Sequence, residues 1–267
     1  MRLTDIRSFL RARTLDFLGL ISKPAVGVHI LNGHKISNDR DNGSENSRER
    51  FDALLCKLEE HCRLINFEEA VKLIEDHVQV KYPLVAFTFD DGFDDCYYSI
   101  APVLEKHDVN AMFFINPNAV SAAENHDENY IKKFADVTTV SPGKVPMNWG
   151  QLKDLKARGF LIGAHTMDHY MMNHGSMSDL TYQINACKKE IESRIGGICD
   201  SFAWPYGQMG HVNMPAVELA LETYRYVYSQ TNYKRYFSCD GRVINRRHFE
   251  PFWPYRHLKF FLSCKKK

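Results

Sequence analysis

Residues Leu84 to Asp95 read LVAFTFDDGFDD, and this stretch decides the fold. Leu84 to Phe89 form a short apolar run rich in β-favouring residues, which predicts a strand buried on both faces. The strand ends in two adjacent carboxylates, Asp90 and Asp91. Like charges held this close resist joint ionisation, and a metal ion or a shared proton would resolve the conflict. A helix cap or a solvated turn is the alternative interpretation, and the pair alone does not decide between them.

Length and composition restrict the class of protein. The chain has 267 residues, a length typical of one α/β barrel. Hydrophobic residues make up 44% and charged residues 25%, which excludes a disordered chain. The formal net charge of +1 argues against a nucleic-acid partner. The seven cysteines include no C-x-x-C pair, so we expect reduced thiols in a cytoplasmic protein.

Residues 1–24 are interpreted as an amphipathic segment ahead of a single domain over residues 25–267. Arginines interrupt the apolar residues of this segment, and the longest apolar stretch, Phe17 to Ile21, is too short for a signal-peptide core or a membrane span. A helix docked on the domain is the preferred interpretation. A helix lying on a membrane surface is the alternative, so peripheral contact with the cytoplasmic membrane face stays open.

Strand and helix patterns alternate along the remaining chain. Apolar runs at Ala25–Leu31, Ala111–Ile115, Phe160–Ala164 and Tyr226–Ser229 predict strands, and the spacing from Leu180 to Ile195 predicts an amphipathic helix. This alternation predicts an α/β fold with a parallel sheet, and the number of strands suits a closed or nearly closed barrel.

The connections between these elements are less regular. Asn66 and Glu69 resemble a capping box that opens a helix from Phe67 to His77. Residues 32–48 are rich in polar side chains and predict a surface loop, and residues 116–146 form a long, weakly patterned connection.

His165 and His169 follow the predicted strand Phe160–Ala164 and are four residues apart. On one helical turn or a tight loop, both imidazoles can face one point, which is a common metal-ligand arrangement. A pair of hydrogen-bonded histidines is the structural alternative. Thr166 stands where a zinc metalloprotease has its glutamate base, so that class is excluded. Barrel active sites form at the carboxyl ends of strands, where Asp90 and Asp91 also lie, and the pair could supply both a ligand and a base.

These residues resemble the polysaccharide deacetylases with a NodB-type domain, carbohydrate esterase family 4. Thr88 to Gly92 (TFDDG) is similar to the family's first motif, and His165 to His169 (HTMDH) resembles its second motif, H-[ST]-x-x-H. Phe202 to Gly207 (FAWPYG) is similar to the third motif. The motifs occur in the family's order across nearly the whole chain. The resemblance implies a distorted (β/α) barrel in a single domain, and it is strongest with the exopolysaccharide deacetylase-like subgroup.

The resemblance also implies roles for individual residues. Asp90 would be the general base, and Asp91, His165 and His169 would hold a divalent metal ion, with Zn²⁺ expected. The backbone N–H of Tyr206 would stabilise the oxyanion. The predicted substrate-binding residues are Trp149, Trp204 and Pro205. The two tryptophans would stack on a sugar, and a position in the core is the alternative for both.

Two departures from the family pattern affect these roles. Ala203 stands where the family often has an arginine that orients the catalytic aspartate, and Arg246 resembles a late-strand arginine of the exopolysaccharide subgroup. No clear copy of the late L-x-H motif, which supplies the general acid, is present. His248 and His257 are the candidates for that acid, and a plain surface histidine is the alternative for both.

The expected activity is therefore hydrolysis of N-acetyl or N-formyl groups on an amino sugar. We expect an intracellular or membrane-associated substrate, such as a lipid-linked or nucleotide-linked sugar. Two alternatives stay open: an amidohydrolase of a non-sugar amide, and a catalytically silent protein that binds glycans.

Overall fold

A computed structural model describes residues 3–37, 45–138 and 144–266 of the protein. Its strands are β1 (Gly27–Gly33), β2 (Arg63–Leu64), β3 (Pro83–Phe89), β4 (Ala111–Ile115), β5 (Leu161–Ala164), β6 (Ser201–Ala203), β7 (Tyr226–Ser229), β8 (Phe237–Ser238), β9 (Val243–Asn245) and β10 (Arg247–His248). Its helices are α1 (Leu3–Ile21), α2 (Glu45–Glu59), α3 (Phe67–Glu75), α4 (Ala101–Lys106), α5 (Pro117–Glu124), α6 (Glu128–Val137), α7 (Trp149–Ala157), α8 (Met177–Thr181), α9 (Cys187–Ile195), α10 (Met214–Thr223) and α11 (Tyr255–Leu262). Wide helical turns at Cys96–Ile100 and Tyr182–Ala186 lead into α4 and join α8 to α9.

The strands form one curled sheet in the order β10-β1-β3-β4-β5-β6-β7-β9-β8, and the short β2 pairs with β3 outside this order. Every neighbouring pair is parallel except β8 and β9. In the chain, β9 and β10 are separated only by Arg246, yet β9 pairs with β7 and β10 pairs with β1. This single stretch therefore joins the two ends of the sheet and closes a distorted barrel, as the sequence predicts.

The barrel interior is apolar toward the amino ends of its strands and polar at their carboxyl ends. One buried cluster contains alternate strand residues, such as Val28 and Ile30 of β1 and Leu84 and Ala86 of β3, and α3 packs against them. Successive strand side chains point to opposite faces, so the next residues of these two columns, Asn32 and Thr88, face the same interior. The interior columns thus end in polar groups at the edge where Asp90 lies.

Most predicted elements are confirmed, with three corrections. The capping box at Asn66 is wrong: its side chain accepts the backbone N–H of Asn110, and the Asn110 side chain accepts the N–H of Phe67. The weakly patterned connection contains two helices, α5 and α6, while residues 139–143 lie outside the described residues.

The third correction concerns the predicted surface loop over residues 32–48. Asn32 belongs to β1 and is fully buried, and α2 begins at Glu45; residues 38–44 lie outside the described residues. The polar character of Asn32 reflects its position at the carboxyl edge of the barrel.

The predicted N-terminal helix is present as α1, which lies against α11. Gly19 makes this contact close, because a Cβ there would collide with the Arg256 carbonyl oxygen. No helix among the described residues has the length and apolarity that a membrane crossing requires. All seven cysteines are free thiols.

Candidate active site

Asp90 lies at the carboxyl end of β3, buried in a dense set of hydrogen bonds. The Arg246 guanidinium binds both carboxylate oxygens, at 2.7 and 2.9 Å, and the Asn32 amide donates to Oδ2 at 2.9 Å. Thr88 and Arg246 both donate to the Asn32 Oδ1, which fixes the orientation of that amide. The charge and the geometry of Asp90 are therefore both determined by its neighbours.

Arg246 is fully buried at the point where the barrel closes. Its guanidinium carbon lies 4.9 Å from the ring centre of Phe114 and 6.0 Å from that of Tyr228. Burial alone would raise the pKa of Asp90, but the Arg246 charge, with smaller contributions from His165 and His34, lowers that pKa below its ordinary value. Asp90 is consequently ionised at neutral pH, and Arg246 acts as its positioning residue.

Asp91, His165 and His169 converge a short distance away, as predicted. Asp91 Oδ1 lies 3.5 Å from His165 Nε2 and 3.3 Å from His169 Nε2, and all three side chains are buried. Burial alone would raise the pKa of Asp91, but the two imidazoles hold it well below its ordinary value. The arrangement brings two nitrogens and one oxygen to a single point, so these residues could hold a metal ion.

The polar groups of this triad fit a metal better than they fit one another. Asp91 Oδ1 is buried without a hydrogen-bond partner. His165 Nδ1 lies 2.7 Å from the Ala203 carbonyl oxygen and donates to it, which leaves Nε2 as the nitrogen with a free lone pair. A neutral Nε2 so oriented and an unpartnered carboxylate oxygen form the donor set that a divalent cation requires.

The loop that carries the two histidines is held from several sides. The Asn116 amide donates to the carbonyl oxygens of His165 and Thr166. Asp168 accepts hydrogen bonds from Asn118, Tyr130 and Gln183, at 2.5 to 2.9 Å. These contacts restrain the imidazoles before any ligand binds.

Several residues of the site have left-handed backbones, which are unfavourable outside glycine. The φ angles are 71° at Asp91, 65° at Thr166, 55° at His169 and 63° at Tyr206. Such a conformation is rare for a β-branched residue such as Thr166. Strained backbone of this kind concentrates at functional sites, which supports a functional role for this edge of the barrel.

A second cluster at the same edge contains His34, His248 and Glu250. His34 directly follows Gly33, whose carbonyl oxygen accepts the backbone N–H of Asp90. Its Nδ1 lies 2.9 Å from Glu250 Oε1, and its ring centre lies 5.3 Å from that of His248. Burial alone would lower the pKa of His34, but Glu250, with help from Asp91 and Asp90, raises it to about 9.

This cluster bears on the choice of general acid, which stays a prediction. Burial and the neighbouring His34 lower the pKa of His248, whereas the pKa of His34 is raised to about 9, so His34 is the histidine of this pair that holds its proton more strongly. His257, the other candidate, lies 3.2 Å from Asp16 of α1, in the contact between α1 and α11.

The two predicted sugar-stacking tryptophans belong to the core. Trp149 is 2% exposed and its indole N–H donates to Ser121, while Trp204 is fully buried. Neither ring has a face open to a sugar, so the predicted stacking role of these two residues is wrong. Pro205 is also buried, and its role in substrate binding stays a prediction.

Tyr206 adjoins the triad. Its ring centre lies 4.6 Å from that of His169, and burial together with Asp91 raises the pKa of its hydroxyl. Tyr206 therefore lies beside the triad, and the role of its backbone N–H as oxyanion donor stays a prediction.

Asn32, His34 and Glu250 were not predicted from the sequence as residues of the site. A signal for them existed in the chain: Asn32 and His34 end an apolar strand, as Asp90 and Asp91 do. Cavity size would not have located the site either. A cavity of about 400 Å³ lies against α3, lined by Phe67, Leu161 and Tyr226, and contains none of the triad.

Three comparisons with known proteins agree with this architecture. The family model "Polysaccharide deacetylase" matches residues 77–227, which include Asp90, Asp91, His165, His169 and Tyr206. The Bacillus subtilis protein YxkH, itself assigned to the polysaccharide deacetylases, is 22% identical over 197 residues. That match covers 73% of this chain and 62% of YxkH, so the chain spans under two thirds of that relative.

Two solved structures share the fold. The deacetylase PplD of Streptococcus pyogenes, solved in complex with acetate, has a TM-score of 0.66 and 19% identity, with 91% of this chain and 100% of PplD covered. IcaB of Ammonifex degensii has a TM-score of 0.65 and 19% identity, with 91% and 99% covered. The family match spans more than half of the chain and contains the motifs that converge at the barrel edge. The chain therefore belongs to the polysaccharide deacetylase family.

Proposed function

We propose that the protein is a metal-dependent hydrolase that removes N-acetyl groups from an amino sugar of a glycan or glycan precursor. The observation that carries the proposal is the convergence of Asp91, His165 and His169 beside an ionised, arginine-bound Asp90. Family membership supports the reaction type. A protein that only binds glycans has no need of such a buried charged cluster, because burying these groups is costly.

Asp91, His165 and His169 would hold the ion, with Zn²⁺ expected from two nitrogen ligands and one oxygen ligand. A bound divalent ion lowers the pKa of water to roughly 7 and polarises an acyl carbonyl. The Ala203 carbonyl and the Asn116 amide supply the support that orients His165.

Asp90 would take the proton of the water that attacks the acyl carbon. Its low pKa makes it a weak base but keeps it ionised, and water of pKa near 7 needs no stronger base. Arg246 and Asn32 leave the carboxylate little freedom to rotate, which favours one productive geometry.

His34 would donate a proton to the amine nitrogen as the C–N bond breaks. Glu250 keeps the ring protonated at neutral pH, because the pKa of His34 is about 9. The backbone N–H of Tyr206 would donate to the oxyanion that forms on the acyl oxygen. General acid catalysis of this kind contributes about 10² to 10⁴ in rate.

An N-acetylated amino sugar is the substrate class best supported. The similar PplD structure holds acetate, which is the product expected here. An acetate-release assay that compares polymeric and small N-acetylated substrates shows whether the sugar is part of a polymer or of a smaller precursor.

Acetate release tests the proposal. Wild-type protein with Zn²⁺ should release acetate from N-acetylglucosamine oligomers, the metal-stripped protein should not, and Asp90→Asn should be inactive with the metal retained. Asp108→Asn is the matched control, because Asp108 is an exposed aspartate outside the site whose left-handed backbone asparagine tolerates. Bound glycan without acetate release by the zinc-loaded wild type would contradict the proposal, and release only from non-sugar amides would contradict its substrate class.

A further inference from the structure

The exposed face of α1 carries large apolar side chains that nothing in the described chain covers. Leu10, Phe17 and Ile21 are 57%, 63% and 68% exposed. Their spacing of seven and four residues places them on one line along the helix. Solvent exposure of three such side chains on one line is unfavourable, so this face of α1 is a candidate binding surface.

The opposite face of α1 fixes this orientation. Gly19 lies against the Arg256 carbonyl of α11, and Asp16 contacts His257 of the same helix. Ala12 and Leu15 line the groove between the two helices. Because α1 is held on that side, Leu10, Phe17 and Ile21 cannot turn into the core.

Arginines flank the apolar line, and their charge indicates the chemistry of the partner. At about 100° of rotation per residue, Arg7 and Arg13 lie about 60° to either side of the line. Both are exposed, and so is Arg11, whereas Asp16 faces His257. A second copy of α1 would bring arginine against arginine, so these charges favour an anionic partner over self-association.

We propose that α1 docks the protein on an anionic lipid bilayer, with Leu10, Phe17 and Ile21 in the acyl boundary and Arg7 and Arg13 among the headgroups. An apolar line bordered by basic residues is the pattern of helices that lie in the membrane interface.

Vesicle co-sedimentation of the full chain tests the proposal. The protein should sediment with phosphatidylcholine vesicles in which about one third of the lipid is phosphatidylglycerol, and much less with phosphatidylcholine alone. Each arginine near an anionic surface contributes about fivefold to partitioning, so R7Q/R13Q should weaken binding by about 25-fold. F17E/I21E should weaken it at least as much, because two charges would enter the acyl boundary.

Ile198→Glu is the matched control, since Ile198 is 84% exposed and lies outside α1. This variant should bind vesicles like the wild type, and all variants should keep the wild-type melting temperature and acetate release from soluble substrate. No sedimentation with anionic vesicles, or equal binding by F17E/I21E, would overturn the proposal. A dimer in light scattering that F17E/I21E dissociates, without vesicle binding by either form, would overturn it in favour of self-association.

Discussion

Asp90 and Asp91 are adjacent in the chain, equally buried and yet in opposite situations. Asp90 has a guanidinium and an amide on its two oxygens. Asp91 has an oxygen without a hydrogen-bond partner, facing two imidazole nitrogens at 3.3 and 3.5 Å. The left-handed backbone at Asp91 sends the second side chain away from the first.

This difference resolves the electrostatic conflict that two adjacent carboxylates create. Arg246 neutralises Asp90 from inside the barrel, and the proposed ion, held together with the two histidines, would neutralise Asp91 from the rim. Two like charges can then both stay ionised, since each has its own counter-charge. One carboxylate is left to act as a base, and the other is left to act as a ligand.

The largest expected effect on activity comes from removing one of the histidines that face Asp91. His165→Ala should lose the metal and at least about 10³-fold in turnover, because a bound ion supplies several kcal/mol of transition-state stabilisation. Metal content after dialysis and acetate release measure the two losses. His174→Ala is the control, since His174 is exposed and contacts Asn173. Full metal retention by His165→Ala would remove His165 from the ligand set.

Breaking the Asp90 half should affect stability as well as rate. Arg246→Met leaves a buried carboxylate without its counter-charge and should lower the free energy of unfolding by about 3–5 kcal/mol. Arg242 offers a matched control, because it forms an equally short pair of hydrogen bonds to Glu218 at the surface. Arg242→Met should cost far less, because solvent screens an ion pair at the surface. Urea denaturation compares the two, and equal costs would show that burial of the Asp90 pair is unimportant.

The cluster of His34, His248 and Glu250 predicts that the reaction rate depends on pH. His34 carries its proton below its pKa of about 9, so the rate should fall as the pH rises through that value. The raised pKa of His34 also stabilises the folded state. This contribution to the free energy of unfolding is fully present below the ordinary histidine pKa and is lost as the pH rises through about 9. Glu250→Gln removes the charge that raises the pKa, so the alkaline limb of kcat/KM should move down by about one to two pH units.

His248→Ala is the comparison for that experiment, because it removes a neighbour of His34 and keeps Glu250. It should leave the alkaline limb in place, since Glu250 and not His248 raises the pKa of His34. An alkaline limb that His248→Ala abolishes would return the acid role to His248.

The smallest expected effect tests the assignment of Trp149 to the core. Ser121→Ala removes the acceptor of the indole N–H and should lower the free energy of unfolding by about 1 kcal/mol. KM should stay unchanged, because the ring does not face the site. A clear rise in KM with unchanged stability would restore a role in substrate binding.

The sequence predicts the half of the site that short motifs encode. The strand Leu84–Phe89, the pair Asp90 and Asp91, and the histidines after β5 are each readable locally, because an apolar run followed by polar ligands marks the carboxyl end of a barrel strand. Arg246 was found only through the family resemblance, and its hydrogen bonds to Asp90 connect residues that are 156 positions apart.

The remaining features depend on tertiary contacts. In the sequence Asn32 resembles a loop residue, and only the pairing of β1 with β3 shows that it belongs to a strand. The role of its amide follows from its hydrogen bonds to Asp90 and Arg246. The preference for His34 over His248 depends on which ring lies closer to Glu250, at 2.9 Å for His34 and 3.8 Å for His248. The closer contact spans 216 residues of the chain. The tryptophans show the opposite error, since an aromatic residue near a motif in sequence can still lie in the core.

The most direct test of the division between the two aspartates is a zinc titration of metal-stripped Asp90→Asn and Asp91→Asn, side by side, with acetate release measured on the same samples. We expect Asp90→Asn to bind one equivalent of zinc as tightly as the wild type without releasing acetate, and Asp91→Asn to bind zinc far more weakly. Equal loss of zinc by both variants, or tight binding by Asp91→Asn, would contradict this division.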